Sequence, residues 1–435
     1  MFKKFFKDTS ITFLTRIVLI VFQMVIYIVI ARVFGPKGKG IYSLTMMFPA
    51  IILIFTNLGI DSAAVYFTGK KDFNINTIYG SNLFLVIPIA LFSILLGIFI
   101  VFFARSFFKD IPFYLLFIGL LSIPFSLIFR NSYAILLSIK KFISYNTMQI
   151  FRFALFLILL IPWMLFLKDV SSAILSNVLS LALASLAGFL FVKHTVIKEK
   201  KLHISKKYIK KSLSFGFKNS LNNAVLFLNY RLDMFLLNFF MGPKAVGFYS
   251  IAVNISERLW LIAQSAGTVI FPTIATVQSE DKRRELTPTI TRFVLYISII
   301  AGATLFLLSK FIVILLYSDK FFNSIAPLQI LLIGISISGA SVTLSNDIVA
   351  RGRPLINLYI TLISVLIMIV LNIILIPVWG INGTAFASTV SYTLLFIGRI
   401  ITYSYLSKVK LSKLILPQKE DILLLKKLFA LLLRR

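Results

Sequence analysis

The chain alternates long apolar stretches with short polar segments from one end to the other. Each apolar stretch is close to the ~20 residues that an α-helix needs to cross a hydrocarbon core about 30 Å thick. The separating segments contain turn-forming or charged residues, as in "FGPKGKG", "TGKKDFN" and "SEDKRRE". The pattern therefore predicts an all-α polytopic membrane protein with twelve transmembrane helices. The predicted spans are residues 10–33, 41–67, 81–104, 112–138, 147–167, 171–192, 213–241, 246–277, 288–309, 324–350, 355–377 and 383–406.

In an α-helix, successive residues are about 100° apart around the axis. At this spacing, polar side chains interrupt the apolar pattern along one face of the eighth span. A charge at the bilayer centre costs ~2.5–3.5 kcal/mol on insertion scales, so such a stripe is not expected to face lipid. We expect it to line a water-filled cavity, and a structural polar seam against another helix is the alternative. The stripe contains Ser250, Asn254, Glu257, Arg258, Leu261, Gln264, Ser265 and Thr268.

Spans one, two and seven also carry polar residues. In span two, Asn57 and Asp61 lie one helical turn apart. In span seven, Arg231 and Asp233 point to nearly opposite faces and do not form a pair within the helix. One of these two is expected to face the cavity and the other a neighbouring helix, and the pattern leaves open which. Span one places on a single face the residues Thr9, Thr12, Arg16, Gln23 and Tyr27.

Several arginines lie close to the predicted helix ends. Arg16 is about a turn and a half into span one, so its position fits a cavity role and snorkelling to the membrane surface equally well. Asp347 and Arg351 are four residues apart and are expected to form a local salt bridge. Snorkelling or contact with phospholipid is the expected role of Arg130, Arg152, Arg292 and Arg399.

Two parts of the chain repeat. The segment "GPKGKGIYS" (Gly35–Ser43) returns as "GPKAVGFYS" (Gly242–Ser250), with six of nine positions identical at an offset of 207 residues. An offset of 212 to 215 residues relates "LLSIKKF", "LIPW" and "AILS" to "IVARGRP", "LIPVW" and "AFAS". Because each copy contains six spans, both copies have the same orientation. This predicts parallel repeats with a central cavity where the two lobes meet.

The longest polar segment between spans separates the two repeats, and it reads "KHTVIKEKKLHISKKYIKK". We predict an N-terminal six-helix lobe over residues 1–192, a basic cytoplasmic linker over 193–212 and a C-terminal six-helix lobe over 213–407. Residues 408–435 are expected to form a basic, amphipathic cytoplasmic tail, in which 419–435 lies at the membrane surface as a helix.

Composition agrees with a membrane protein, and the charge distribution predicts its orientation. Of 435 residues, 59% are hydrophobic and 14% are charged, against roughly 25% charged in soluble proteins. With both termini in the cytoplasm, about 29 of the 45 Lys and Arg lie in cytoplasmic segments and about nine in external ones. This distribution follows the positive-inside rule. The net charge of +30 is therefore attributed to topology and anionic lipid headgroups, and no nucleic-acid partner is expected.

The sequence contains few of the residue types and motifs on which metal, thiol or nucleotide chemistry depends. There is no cysteine, and both histidines lie in a lysine-rich stretch, so no metal or cofactor is expected. "GPKGKG" lacks the Gly-Lys-Ser/Thr ending of a phosphate-binding loop and is expected to be a tight external connection that binds nothing. No ATPase motif is present, so an ion gradient, the membrane potential or the substrate gradient is expected to drive transport. The apolar run after Lys3, Lys4 and Lys7 is expected to be an uncleaved first span.

Segments spread over nearly all of the chain resemble polysaccharide or O-antigen repeat-unit flippases of the multidrug/oligosaccharidyl-lipid/polysaccharide exporter superfamily. They are "ARVFGPKGKGIYSL", "NLGIDSAAVYFTGK", "NYRLDMFLLNFFMGPKAVGFYSIA", "FPTIA", "YSDKFFNSIAPLQIL", "ARGRP" and "LNIILIPVWGINGTAFASTVSY". The resemblance implies two lobes that rock around a central cavity. It also implies a protein of a bacterial or archaeal plasma membrane, not an enzyme, that moves an oligosaccharide on a polyprenyl diphosphate to the external leaflet for polysaccharide or lipopolysaccharide assembly.

The resemblance also suggests roles for the polar residues. Arginines in a cavity suit a diphosphate, and amide and hydroxyl groups suit the hydroxyls of sugars. Asp61, Asp233 and Glu257 are expected to bind a coupling proton or sodium ion. The expected partners are the lipid-linked oligosaccharide, membrane lipids and other polysaccharide-assembly proteins. The expected substrate-binding residues are Arg16, Gln23, Tyr27, Asn57, Arg231, Asn254, Arg258 and Gln264.

Three other functions stay open at this point. An ion-coupled drug exporter of the same superfamily would bind cations with cavity carboxylates, although arginines outnumber the four acids within the spans and favour an anionic cargo. A peptidoglycan-precursor flippase usually has more spans than the chain is predicted to have. A membrane glycan ligase or polymerase typically has a large external loop, whereas the longest loop predicted here is cytoplasmic.

Overall fold

The computed structural model describes residues 2–197, 201–261, 263–264, 280–418 and 421 of the chain, and most of them are helical. Short 3-10 helices lie at Arg105–Phe108, Glu257–Leu259 and Asp319–Ser324. The α-helices, in chain order, are α1 (Phe2–Thr56), α2 (Ile60–Lys70), α3 (Ile75–Phe103), α4 (Phe113–Leu120), α5 (Ser122–Ser138), α6 (Phe142–Leu167), α7 (Val170–Thr195), α8 (Lys206–Met241), α9 (Pro243–Ser256), α10 (Glu280–Tyr317), α11 (Ile325–Ala350), α12 (Pro354–Trp379), α13 (Ile381–Ser407) and α14 (Leu411–Ile415).

Ten helical stretches of the described residues are long and apolar enough to cross a membrane. One of them, Leu14–Thr56, has 43 residues, which is about twice the length of a single span. Gly35 interrupts this stretch with non-helical dihedral angles, so it accounts for the first predicted span and much of the second. The eighth predicted span extends into residues 265–277, which lie outside the described residues. The predicted all-α polytopic fold is confirmed, and an architecture of twelve spans is consistent with it.

The chain divides into two compact units, Met1–Gly247 and Phe248–Arg435. In the first unit, α7 packs against α5 and α6, and α1 packs against α6. In the second, α11 packs against α10 and α13, and α12 packs against α13. The first unit thus includes α8. The lobe and linker boundaries drawn from the sequence stay a prediction.

The two "GPK" segments form the same backbone turn. Gly35 has φ 64° and ψ −171°, and Gly242 has φ 77° and ψ 178°. Glycine adopts such positive φ angles without the steric penalty that a Cβ atom brings. A proline follows each glycine, at the start of a helical segment where its missing N–H is not needed. The tight connection expected at the first copy is therefore a single-residue break between two helical segments.

The helical segments after these turns approach each other closely within the first unit. A Cβ atom on Gly40 would lie 1.7 Å from the carbonyl oxygen of Pro243, and one on Gly247 would lie 1.8 Å from the carbonyl oxygen of Pro36. Both the two glycines and the two prolines are 207 residues apart, so the two contacts are reciprocal. The backbones meet at a distance that leaves no room for a side chain at either glycine.

The later part of the repeat also has matching turns. The helices α6 and α12 both contain 26 residues, and their first residues are 212 positions apart. Just before them, Lys140 and Gly352 have φ angles of 59° and 75°, again at an offset of 212. In both turns the following residue donates its N–H to the carbonyl five residues earlier, at 3.0 and 3.2 Å. The predicted internal repeat is therefore present in the local backbone geometry.

The first part of the C-terminal tail is attached to the second unit. The short helix α14 packs against α10 and α13. Arg292, in α10, donates from Nε and Nη2 to the two carboxylate oxygens of Asp421, at 2.7 and 2.6 Å. Arg292 is buried, so its expected snorkelling is wrong, because a carboxylate of the tail binds its guanidinium. The predicted amphipathic helix 419–435 lies outside the described residues, apart from Asp421.

Candidate functional site

Two side chains of the first unit hold the carboxylate of Asp61. Arg130 donates to its Oδ2 from Nη2 and Nε, at 2.6 and 3.1 Å. Asn57 donates from Nδ2 to the other carboxylate oxygen, at 3.0 Å. The ion pair is partly accessible, since the side chain of Arg130 is 44% exposed and that of Asp61 is 24% exposed. The structure thus brings together two predicted site residues and adds an ion pair with Arg130, whose expected snorkelling stays a prediction.

A lysine is buried at the start of the second helical segment of α1. Lys39 is 1% exposed, although the sequence pattern places it in an external connection. Its Nζ lies 4.2 Å from the ring centroid of Tyr27 and 5.5 Å from that of Tyr42. Aromatic rings attract a cation through their quadrupole, and the attraction is stronger where water is excluded. The ammonium of Lys39 thus contacts two tyrosines of the same chain, and the expectation that "GPKGKG" binds nothing stays a prediction.

Arg152, in α6, brings a second cation to the same two tyrosines. Its guanidinium lies 5.6 Å from the ring centroid of Phe129 and 5.4 Å from that of Phe153. It also interacts electrostatically with the hydroxyls of both tyrosines that contact Lys39. Across the described residues, no carboxylate pairs with Lys39 or Arg152. We refer to Tyr27, Tyr42, Lys39 and Arg152 as the cation cluster.

One tyrosine of the cation cluster accepts a hydrogen bond from α7. Asn177 donates from Nδ2 to the hydroxyl of Tyr42, at 2.8 Å. In the second unit, Tyr249 takes the equivalent position in the repeat, and its hydroxyl lies 3.0 Å from that of Ser388. Asn177 and Ser388 each lie seven residues after the first residue of their helix. The internal repeat therefore extends to a side-chain hydrogen bond.

The other predicted residues of span one lie at a partly accessible surface. Arg16 is exposed, and Gln23 is half-buried like Tyr27. The guanidinium of Arg16 interacts electrostatically with the hydroxyl of Tyr133, which hydrogen-bonds to Tyr145. Whether Arg16 binds substrate or snorkels stays a prediction.

The two charged residues of α8 differ in burial. Asp233 is 1% exposed, and its Oδ1 accepts a hydrogen bond from the N–H of Met234 at 2.8 Å. Arg231 is half-buried and donates from Nη1 to the carbonyl of Tyr230, at 3.1 Å. The two side chains each bond to a backbone group of α8, and the sequence pattern likewise predicted no pair between them. Which of the two faces a cavity stays a prediction.

The second unit contains four predicted site residues around the end of α9. Asn254 donates from Nδ2 to a carbonyl one turn earlier, at 2.6 Å. Glu257 and Arg258 are half-buried in a 3-10 turn, and Gln264 is exposed. A 3-10 turn advances about 120° per residue instead of about 100°, so a stripe drawn for a continuous α-helix changes direction here. Residues 265–277, with the rest of the predicted stripe, lie outside the described residues.

A buried carboxylate joins three helices of the second unit. Asp347 has no exposed surface and accepts hydrogen bonds from Thr287, at 2.8 Å, and from Arg351. Arg351 also donates to Glu280 at 2.8 Å, and its guanidinium lies 5.6 Å from the ring centroid of Tyr403. The predicted salt bridge between Asp347 and Arg351 is confirmed. Because these groups connect α10, α11 and α13, we assign them a structural role.

The sequence pattern did not identify Lys39 and Asn177. The glycines and the proline around Lys39 are typical of a loop, so the sequence pattern predicted an exposed residue. In the structure Lys39 is buried near the start of a helical segment. A usable signal was the spacing of Lys39 and Tyr42, which are three residues apart and share a face if the segment is helical. The described ranges contain no group of three or more His, Asp or Glu side chains placed to hold a metal ion.

Comparison with protein families gives a match over much of the chain. The family model described as "Polysaccharide biosynthesis protein" matches residues 5–278, which is more than half of the chain. The matched part contains α1 to α9 and therefore includes the cation cluster and the ion pair of Asp61.

Three relatives extend the comparison. The capsular polysaccharide biosynthesis protein CapF of Staphylococcus aureus is 25% identical over 423 residues, which cover 92% of this chain and 99% of CapF. The probable low-salt glycan biosynthesis flippase Agl15 of Haloferax volcanii is 25% identical over 185 residues, which cover 40% of this chain and 37% of Agl15. The uncharacterized membrane protein MJ1068 of Methanocaldococcus jannaschii is 27% identical over 237 residues, which cover 51% of this chain and 46% of MJ1068. The alignments to Agl15 and MJ1068 thus span less than half of those proteins.

Solved structures share the fold. The lipid II flippase MurJ, in an inward closed conformation, superposes with a TM-score of 0.77 at 18% identity, covering 94% of this chain and 89% of that one. An inward-facing multidrug resistance MATE family transporter of the MOP superfamily superposes with a TM-score of 0.72 at 15% identity, covering 91% and 95%. At these identities the similarity shows a common fold.

Proposed function

The chain belongs to the family of polysaccharide biosynthesis proteins, and we propose that it flips a lipid-linked oligosaccharide across the membrane. Similarity to CapF and Agl15, whose names refer to capsular polysaccharide biosynthesis and to a glycan flippase, supports this function. The cargo is an oligosaccharide repeat unit on a polyprenyl diphosphate. Alternating access carries it from the cytoplasmic to the external leaflet for surface polysaccharide biosynthesis, and no covalent bond of the cargo changes, so the protein is not an enzyme.

The observation that carries this proposal is the cation cluster. Burying a charged side chain without a partner inside a membrane protein is costly, so a buried cation without a carboxylate is a functional signal. Among the described residues, Lys39 and Arg152 have no such partner. Arginine and lysine are the usual phosphate-binding side chains. A diphosphate supplies the negative charge that this region lacks, whereas a cationic drug would be repelled.

The polar residues identified from the sequence take complementary roles in the proposal. Asp61, Asp233 and Glu257 are candidates for binding a coupling proton or sodium ion, and protonation of Asp61 would release Arg130. Hydrogen-bonding groups bind the sugars, and cationic groups bind the diphosphate. The proposed substrate contacts are Arg16, Gln23, Tyr27, Asn57, Arg231, Asn254, Arg258 and Gln264.

The proposed location is the plasma membrane of a bacterium or archaeon, with both termini in the cytoplasm. The distribution of Lys and Arg supports this orientation. Other polysaccharide-assembly proteins supply the lipid-linked oligosaccharide on one side of the membrane and consume it on the other.

Deletion in the native host, followed by analysis of lipid-linked glycans, tests the function. We expect surface polysaccharide to be lost and lipid-linked repeat units to accumulate on the cytoplasmic side, where they resist a membrane-impermeant glycosidase in intact cells. Expression of the intact chain from a plasmid must restore the surface glycan. Normal surface glycan together with altered drug sensitivity would contradict the proposal and support an ion-coupled drug exporter.

A further inference from the structure

The basic linker between α7 and α8 is attached to the first unit by side chains of α3. Asn76 donates from Nδ2 to the carbonyl of Lys201 at 2.9 Å, and Ser81 accepts from the N–H of Ser205 at 3.0 Å. The hydroxyl of Tyr208 donates to Oδ1 of Asn82 at 3.1 Å. These contacts fix the first turns of α8 beside the end of α2 and the start of α3. The linker is therefore built into the first unit at this point.

Aromatic side chains fill the space between α2 and α8. Tyr66 and Phe215 stack with ring centroids 4.3 Å apart. Phe67 packs edge-on against Phe215 at 6.0 Å and against Tyr208 at 5.8 Å. Phe73, in the turn after α2, lies 5.7 Å from Phe67 and 5.2 Å from Tyr208. The rings form a continuous apolar floor at the end of the helices.

Lysines from both helices surround this floor. They line a groove with a volume of about 670 Å³, whose only lining acid among the described residues is Asp72. The ammonium of Lys70 lies 5.0 Å from the ring centroid of Tyr66, and that of Lys211 lies 5.7 Å from Phe73. We refer to this feature as the lysine groove. Its lysines are Lys70, Lys207, Lys210 and Lys211, and all four are exposed.

We infer that the lysine groove binds the phosphate group of a lipid at the membrane surface. Four lysines opposed by a single aspartate give the groove a net positive charge, and lysine binds phosphate as a point charge. A helix that is long and apolar enough to cross a membrane begins at Ile75, five residues after Lys70, so the groove is expected near the height of the lipid headgroups. The aromatic floor supplies an apolar surface for the part of the lipid next to the phosphate. In the proposed orientation this is the cytoplasmic leaflet.

Two lipids offer this phosphate chemistry: an anionic phospholipid of the bilayer and the diphosphate-linked cargo. The inference does not depend on the proposed function, because binding is measured without transport. Native mass spectrometry of the full chain, released from nanodiscs of phosphatidylcholine with phosphatidylglycerol or with polyprenyl diphosphate, distinguishes the two sources. A bound phospholipid identifies a bilayer-lipid site, and a bound polyprenyl diphosphate identifies a loading site for cargo.

A matched pair of variants tests whether the groove itself is responsible. Lys207→Gln with Lys210→Gln removes two charges of the groove, and Lys140→Gln with Lys141→Gln removes two exposed charges from the turn between α5 and α6. We expect the first pair to reduce the bound fraction by about tenfold and the second to leave it near that of the unaltered chain. Lys207→Arg with Lys210→Arg, which keeps the charge, must retain binding. Equal binding by the two glutamine pairs, or no bound lipid from either nanodisc, would overturn the inference.

Discussion

At the scale of single residues, Lys39 combines full burial with a formal charge. Its ammonium lies between two tyrosine rings, and Arg152 interacts with the hydroxyls of the same tyrosines. Two cations that share uncharged partners repel each other. In the proposed function, an anion that enters the cluster relieves this repulsion, so the two side chains together would bind phosphate more strongly than either does alone.

Lys39→Met tests this role, because methionine keeps most of the side-chain length and removes the ammonium. We predict that flipping falls by about tenfold or more, as expected when a hydrogen bond to a charged group is lost. Flipping is measured by complementation of the deletion strain and normalised to the amount of protein in the membrane. Lys37→Met is the matched control, since Lys37 lies two residues earlier and is exposed. Equal activity of the two variants would exclude Lys39 from cargo binding.

Arg258 is the proposed cationic contact in the second unit. It is half-buried in the 3-10 turn after α9. We predict that Arg258→Ala abolishes complementation while the amount of protein in the membrane holds, because the guanidinium contributes to binding rather than to folding. Full activity of this variant would remove Arg258 from the mechanism. Arg258→Lys is expected to keep part of the activity, since it keeps the charge and loses the bidentate geometry.

At the scale of elements, the reciprocal glycine contacts set how closely two helical segments pack. Gly40→Ala would place a methyl group 1.7 Å from the carbonyl of Pro243, so backbone must move. We predict a loss of about 1–3 kcal/mol in stability, the usual effect of overpacking. The measurement is the thermal unfolding midpoint in detergent. Gly69→Ala is the control, because the added atom there has nothing within 4 Å. A similar midpoint for both variants would show that the segments separate without penalty.

The contact between the C-terminal tail and α10, made by Asp421 and Arg292, is expected to depend on pH. Hydrogen bonds from Arg292 hold the pKa of the Asp421 carboxyl below its usual value. A lowered pKa means that the contact stabilises the folded protein above the ordinary pKa and is lost as the pH falls through the lowered value. We predict that the tail is attached at neutral pH and is released as the pH falls through the lowered pKa of Asp421. Hydrogen exchange of residues 411–416 measures the release.

Asp421→Asn is expected to release the tail at neutral pH, because asparagine has no charge for the guanidinium. Asp281→Asn is the control, since Asp281 is an exposed acid at the start of α10. Exchange that is unchanged in Asp421→Asn would mean that apolar contacts of α14 alone hold the tail.

Sequence patterns predicted the helical elements better than their side-chain contacts. The repeat of "GPK" and the offset of 212 residues located turns whose backbone angles agree between the copies. The polar stripe of span eight was drawn for a regular α-helix, and the 3-10 turn at Glu257–Leu259 alters its direction. Arg130 and Arg292 pair with carboxylates 69 and 129 residues away along the chain. Helical periodicity describes neighbours within one helix and carries no information on such partners.

At the scale of the whole molecule, hydrophobicity was sufficient to predict the class of protein, and the internal repeat and the family resemblance added the two-lobe fold. Apolar length predicted the spans, and the similarity to MurJ and to a MATE transporter shows the same fold. The division at Gly247 depends on packing between helices that are distant in sequence, as does the burial of Lys39. Composition and periodicity do not contain that information. The cation cluster therefore could not be predicted from the sequence pattern.

The equivalence of the two "GPK" turns has an evolutionary consequence. Matching sequence and backbone angles in both copies are what duplication and fusion of an ancestral gene would produce. Val246 is the residue equivalent to Lys39 in the second copy and is just as buried. The two copies therefore have a similar backbone and differ in charge at this position. An ancestral pair of identical halves would have carried either two lysines or none. In a fused chain each half can mutate independently, so a charge such as that of Lys39 can be confined to one half, which the symmetry of a dimer of identical halves does not permit.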